Sequence, residues 1–168
     1  MSGADNTFYA SGWLLVRWAI DHYASDEASF VRALVTETGA TGLANLARHT
    51  GRPAAEMLAD WSLALAADDR PGVTPRRAQL SLPSWNTRDI FRGLNAADSR
   101  LYRSAFPLAV QQVRWGAFSL DVPTVRSWSA AFFELAGAAA DGPQLLELKS
   151  GTGGTVSPNI GVAILRVE

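Results

Sequence analysis

Histidine limits the chemistry of this chain more than any other residue type. The 168 residues include two histidines, His22 and His49, and no cysteine. A zinc hydrolase site of the H-E-x-x-H type needs two imidazoles one helical turn apart and a glutamate base. His22 and His49 are far apart in the sequence, and neither has a glutamate at such an offset. The sequence therefore predicts no metal site within this chain, and it excludes disulfides and cysteine nucleophiles.

Other catalytic patterns are weak or absent. Serine and acidic residues are plentiful, but there is no G-x-S-x-G elbow to present a nucleophile. The glycine-rich residues 151–154 lack the lysine and the helix that follow a phosphate-binding loop, so they favour a hairpin turn. The acidic pairs Asp26-Glu27 and Asp68-Asp69 indicate a helix cap and a solvated linker. No self-sufficient active site is predicted.

Tryptophan offers a different kind of chemistry. The chain contains six tryptophans, and Trp85, Trp115 and Trp128 fall in its second part. Aromatic rings exposed on one face of a β-sheet can stack on sugar rings, whereas buried rings fill the core between two sheets. The sequence leaves both interpretations open, with core packing favoured. A binding site would require several of these rings to be exposed on one face.

The first part of the chain contains residues that typically begin and end helices. Residues 10–23 are apolar nearly all round, which predicts a buried helix. Ser25 or Asp26 can cap a second helix, Thr41 and Gly51 bound a third, and Pro53 opens a fourth. The predicted helices cover about residues 10–23, 26–36, 42–50 and 53–65.

The second part of the chain predicts strands. A linker with two prolines and a glycine at residues 68–75 marks the boundary. Short apolar runs separated by turn-forming residues follow it, at residues 78–82, 108–113, 116–122, 130–135, 145–149 and 160–167. Residues 84–95 are predicted as a short helix or an irregular excursion. The predicted fold is α+β: a four-helix unit in residues 1–70, then an antiparallel β-sandwich of about six strands in residues 71–168.

Charge and hydropathy limit the classes of partner that the sequence predicts for this chain. Fifteen basic and sixteen acidic residues give a formal charge of −1, so no electrostatic footprint for nucleic acid or an anionic membrane is expected. No apolar stretch approaches the ~20 residues that span a bilayer. The first six residues are small and polar, and they predict no secretion signal in this chain.

Four short motifs follow one another in the helical part. A Y-x-x-G at residues 9–12 precedes the apolar run 13–17, and an acidic cap with a phenylalanine occupies residues 26–34. A glycine turn at residues 50–53 leads to the Glu-Met-Leu-Ala-Asp-Trp segment at 56–61. This order, over residues 7–65, resembles the helical segment downstream of the zinc site in gluzincin metallopeptidases. The likeness is to secreted bacterial peptidases of the hyicolysin-like kind, whose C-terminal part can be a β-sandwich.

The resemblance implies a role for one residue of this chain. In gluzincin aminopeptidases the tyrosine of Y-x-x-G donates a hydrogen bond to the oxyanion of the tetrahedral intermediate, and Tyr9 matches that tyrosine. The structural alternative is that Tyr9 packs on Trp13 at the helix entry. The zinc-binding helix of the family lies N-terminal to this segment, so the resemblance places zinc in a parent protein and not in this chain. It also implies a secreted or extracytoplasmic location and a peptide substrate.

The resulting prediction is the C-terminal helical and accessory region of a secreted zinc metallopeptidase, inactive as this chain. Its partner would be the missing N-terminal catalytic subdomain. An apolar helical face left uncovered by that partner would drive homodimer formation in isolation. The alternative is a glycan- or protein-binding β-sandwich module with a helical N-terminal extension. A small enzyme with an unrecognised site is a third interpretation.

Overall fold

The structure is a computed structural model that describes residues 3–104, 106, 108–114, 130–136, 145, 147–150, 156–157 and 160–165. Of residues 3–9 it describes the backbone alone. The chain divides into two compact units, Met1–Phe106 with Val162–Glu168, and Pro107–Gly161. The domain boundary predicted between residues 70 and 71 falls within the first unit. Whether residues 1–70 fold without the rest of that unit is a question of stability, so the predicted domain division stays a prediction.

The described part of the first unit is helical. Four helices lie where the sequence predicts them, and a fifth lies where a short helix or an excursion was predicted. A short 3-10 helix, Ala78–Leu80, precedes the fifth. The five helices are α1 Gly3–Tyr23, α2 Glu27–Thr36, α3 Gly42–Thr50, α4 Ala54–Ala67 and α5 Thr87–Ala97.

Local sequence signals explain the helix boundaries. The Asp26 carboxylate accepts a hydrogen bond from the Ser29 amide at 2.8 Å and so caps α2. Gly51 ends α3 in the left-handed conformation, with φ of 67°, which glycine adopts without steric cost. Asn86 caps α5 by accepting from the Asp89 amide at 2.8 Å. Each of these positions is readable from the sequence because the cap is a local interaction.

The core of the first unit forms where α1 meets α3 and α4. Trp18 and Met57 are its largest fully buried side chains. α1 is apolar nearly all round because its C-terminal half is surrounded by its neighbours, as predicted for a buried helix. The buried core residues are Leu15, Trp18, Ala19, Ile20, Phe30, Leu46, Met57, Ala64 and Leu82.

The segment from residue 77 to residue 84 is bound to these helices through its backbone. The Trp18 indole N–H donates to the Gln79 carbonyl at 2.9 Å, and His22 Nε2 lies 2.9 Å from the Ser81 carbonyl. The Leu82 amide donates to Asp68 Oδ1 at 2.9 Å. Leu82 itself belongs to the core. This segment therefore packs on the helices of the first unit and is not a strand.

The predicted antiparallel β-sandwich is wrong. The described residues contain two strands, β1 Val110–Arg114 and β2 Phe132–Ala136, and they pair in parallel with Val110 opposite Phe132. In the strand candidate 78–82, residues 78–80 form the 3-10 helix, and Leu80 and Leu82 are both buried. The described residues of the candidates 145–149 and 160–167 are not in strands, and residues 116–122 lie outside the described part. Within the described ranges the structure is α+β, with five α-helices, one 3-10 helix and one two-stranded parallel sheet.

Candidate functional site

Three of the residues singled out in the sequence fall where the structure does not describe their side chains. Tyr9 lies within α1, and its side chain is outside the described part, so its role at an oxyanion stays a prediction. Trp115 and Trp128 also lie outside the described residues. The glycan platform that combined them with Trp85 therefore stays untested, although the sandwich that was to carry it is not found.

The two histidines take structural positions. His22 packs edge-on against Trp18, with ring centroids 5.4 Å apart, besides its contact with the Ser81 carbonyl. His49 Nε2 is buried 4.0 Å from Glu37 Oε2, and its ring lies edge-on to Phe30. Within the described ranges no three side chains of His, Cys, Asp or Glu are grouped so that they could hold a metal ion. Neither histidine forms part of such a group in the described residues.

Trp85 forms an exposed pair with a tryptophan that the sequence analysis did not select. Trp13 of α1 and Trp85 meet edge to face, with ring centroids 5.1 Å apart and an interplanar angle of 85°. Trp13 is 51% exposed and Trp85 is 40% exposed. These two residues, hereafter the tryptophan pair, present apolar surface to solvent. Trp85 thus belongs to the helical unit and not to a sheet.

The tryptophan pair is held in place by an acid on α1. Asp21 accepts hydrogen bonds from the Ser84 hydroxyl at 2.6 Å and from the Ser84 amide at 3.2 Å. It also accepts from Arg17 at 2.6 Å. Burial by itself raises the pKa of Asp21, but the hydrogen bonds from Ser84 and Arg17 outweigh it, so the pKa lies below its ordinary value. Asp21 therefore stays ionised and fixes the residue before Trp85 against α1.

A polar cleft lies elsewhere in the same helical unit. Its volume is about 260 Å³. The end of α1, the turn between α3 and α4, the middle of α4 and the segment before the 3-10 helix each contribute to its wall. The lining side chains are Tyr23, Arg52, Asp60, Arg77 and Gln79.

An ion pair organises one wall of this cleft. Arg77 Nη2 donates to Asp60 Oδ1 at 2.5 Å, and Arg77 Nη1 donates to Asp60 Oδ2 at 3.3 Å. Asp60 is 6% exposed, whereas the Arg77 side chain is 52% exposed. The geometry is the two-point fork by which a guanidinium binds a carboxylate. The buried acid thus fixes the orientation of a half-exposed arginine.

The other cationic group in the cleft is held more loosely. Arg52 pairs with Glu56 at 2.7 Å, both side chains are exposed, and the guanidinium also donates a hydrogen bond to the Tyr23 phenol oxygen. Burial raises the pKa of the Tyr23 phenol above its ordinary value, while the nearby Arg52 opposes that rise. Tyr23 is therefore a neutral hydrogen-bond donor. Two guanidinium groups, a phenol and an amide surround one small space.

Sequence reasoning missed this cleft, although one signal for it was present. Asp60 lies one turn from Met57 and one turn from Ala64 on the buried face of α4. An acid in an apolar helical stripe indicates a buried partner, because an unpaired buried carboxylate is costly. The partner, Arg77, comes from beyond the proline-containing linker, and no local pattern predicts that contact.

Comparison with known proteins assigns this chain to no family. No family model, no curated protein and no solved structure matches this chain. Among the helices that the structure describes, none is long and apolar enough to cross a membrane.

Proposed function

We propose that this chain is the C-terminal helical and accessory region of a secreted gluzincin-type zinc metallopeptidase. In this proposal it does not hydrolyse peptides on its own. The motif order in residues 7–65 supports it, as does the succession of four helices, α1 to α4, over the same part of the chain. The observation that carries the proposal is the exposed tryptophan pair.

The tryptophan pair lies next to the motif that would face the catalytic centre. Trp13 directly follows Gly12, the last residue of the Y-x-x-G. Large aromatic side chains contribute most of the apolar surface that proteins bury at interfaces, and two of them in contact on a surface indicate a binding patch. In a gluzincin peptidase the catalytic subdomain precedes this helix, and it is the partner that would cover the pair.

Zinc and the proton-transfer groups would come from that preceding subdomain. Bound zinc would polarise the scissile carbonyl and activate a water molecule there. The role of this chain in catalysis would be limited to Tyr9, whose hydroxyl would donate a hydrogen bond to the oxyanion. The helices α1 to α4 would support the subdomain from behind, and a peptide would be the substrate.

Zinc content and peptidase activity of the purified chain test this proposal. We expect far less than one zinc per chain and no turnover of unstructured peptides or casein, with circular dichroism showing a folded helical protein. A preparation that contains one zinc per chain and hydrolyses peptide, with activity lost on chelation and restored by zinc, would contradict the proposal.

Self-association tests the tryptophan pair directly. With its partner absent, the pair is expected to drive weak dimerisation that analytical ultracentrifugation can measure. The double variant Trp13→Ala/Trp85→Ala should shift the equilibrium toward monomer. The matched control replaces Val31 and Val35, two exposed apolar residues on α2, with alanine. Equal dimerisation of both variants, or a strictly monomeric parent chain at millimolar concentration, would count against the pair as an interface.

A further inference from the structure

The burial of Asp60 calls for an explanation beyond stability. Taking a carboxylate out of water is costly even when it is paired, and a well-packed apolar residue at the same place is often as stabilising or more so. Asp60 nonetheless occupies the buried face of α4 between Met57 and Ala64. From this position Asp60 holds the Arg77 guanidinium in one orientation at the wall of the cleft.

Arg77 keeps unused hydrogen-bonding capacity. A guanidinium carries five N–H donors in a fixed plane, and the contacts with Asp60 use one on Nη1 and one on Nη2. Its side chain remains about half exposed, and it lines the cleft. An arginine fixed in this way loses little conformational freedom when a ligand binds, which favours affinity.

Arg52 supplies the second cation of the cleft. Its only charged partner among the hydrogen bonds and ion pairs described above is Glu56, and exposed pairs of this kind contribute little to stability. An anion in the cleft can therefore replace Glu56 at small cost. Tyr23 and Gln79 add a phenol O–H and an amide N–H at the same site. Two arginines and one aspartate leave the lining residues with one excess positive charge.

We infer that this cleft binds the carboxylate of a small organic acid or of a peptide C-terminus. Arg52 and Arg77 would be the cationic ligands, and Tyr23 would donate a hydrogen bond. A carboxylate suits the site because it carries a single negative charge, equal to the excess of the lining, and because its two oxygens match planar guanidinium donors. The volume of about 260 Å³ suits a group the size of one residue. The inference is independent of the peptidase proposal.

Titration of the full chain, followed by amide chemical shifts, tests the inference. The probes are acetate, N-acetyl-dialanine with a free carboxylate, and the same peptide as its C-terminal amide. At least one of the two acids should give saturable shifts of the amides of Arg52, Arg77 and Gln79, and the peptide amide should not. Similar affinity for acetate and the peptide acid indicates a small-acid site, and tighter binding of the peptide acid indicates a peptide C-terminus. Both outcomes support carboxylate binding.

Two variants and a control make the test specific. Arg52→Gln should weaken binding by about tenfold or more, as expected for the loss of one charge-assisted hydrogen bond. Tyr23→Phe removes only the hydroxyl and should weaken it by a smaller factor. Arg48→Gln is the matched control, since Arg48 is an exposed arginine that pairs with Glu37 and does not line the cleft. Thermal unfolding of each variant checks the fold.

The inference is overturned by any of three results. The first is the absence of saturable shifts with either acid at tens of millimolar. The second is equal affinity for the peptide acid and its amide. The third is unchanged binding in both the Arg52→Gln and Tyr23→Phe variants. None of these results bears on zinc content or on self-association, so failure here is distinguishable from failure of the peptidase proposal.

Discussion

Trp18→Phe tests how far the segment around Gln79 belongs to the helical unit. Trp18 is fully buried, and its indole N–H donates to the Gln79 carbonyl at 2.9 Å. Phenylalanine cannot donate, and the half-buried Gln79 carbonyl left without its donor costs about 1–3 kcal/mol. The lost volume of roughly 40 Å³ adds about 1 kcal/mol at about 24 cal/mol per Å³. We expect the free energy of unfolding to fall by about 2–4 kcal/mol.

The assay is urea unfolding followed by circular dichroism, with a thermal scan beside it. At ~2–4 °C per kcal/mol for a chain of this length, the expected fall in Tm is about 4–16 °C. Trp13→Phe is the matched control, because it makes the same chemical change on the same helix at a half-exposed position. It should change the free energy of unfolding by no more than about 0.5 kcal/mol. Equal destabilisation by the two substitutions would refute both the burial of Trp18 and its hydrogen bond to the Gln79 carbonyl.

Three further predictions concern charge and backbone conformation. Burial raises the pKa of Asp68. The stability that protonated Asp68 contributes is therefore fully present below its pKa in the unfolded chain and is lost as the pH rises through its pKa in the folded chain. Asp68→Asn should flatten the profile of stability against pH over that range, as measured by urea unfolding. Arg77→Ala should destabilise more than Asp60→Asn in the same assay at pH 7, because it leaves a buried carboxylate unpaired whereas the exposed arginine can be hydrated; the reverse order would contradict the pairing. Gly51→Ala should cost about 1 kcal/mol of stability because Gly51 has a positive φ. Gly93→Ala should stabilise the protein by about 0.5–1 kcal/mol in thermal unfolding, because Gly93 lies within α5 with open space around it. Effects of the same sign would show that one backbone assignment is wrong.

The helical part of the fold was predictable because its signals are local. The cap at Asp26, the glycine at residue 51 and the proline at residue 53 each act within one turn of chain, whereas Thr41 stands at the N-cap of α3 without a capping side-chain hydrogen bond. The apolar character of residues 10–23 predicted a buried helix, which is correct for Trp18 and Ile20 but not for the half-exposed Trp13. Such signals do not require knowledge of what packs against the helix.

The strand predictions at residues 108–113 and 130–135 were confirmed, whereas the one at residues 78–82 was wrong because tertiary contacts decide the conformation there. Leu80 and Leu82 alternate like the inward residues of a strand, and both are buried. The carbonyls of Gln79 and Ser81 are used by side chains of α1 and not by a neighbouring strand. The pairing of β1 and β2 is parallel, which requires a long connection, and alternation of side chains carries no information about strand direction.

The residues of the candidate site likewise divide into those that local sequence signals reveal and those that only tertiary contacts bring together. Asp60 in an apolar stripe was visible in the sequence as an unusual residue. Its bond to Arg77 was not, because the two are joined through a linker whose path depends on the whole helical unit. The exposure of Trp13 was equally hidden, since nothing in the local pattern separates it from the fully buried Trp18.

The central claim is that this chain is one part of a larger zinc metallopeptidase. The most direct measurement is the sequence of the native reading frame upstream of the codon for Met1. The account predicts that the frame continues upstream and encodes an H-E-x-x-H helix with a further glutamate ligand after it. An in-frame stop codon immediately upstream of Met1, with no such helix encoded before it, would contradict the account.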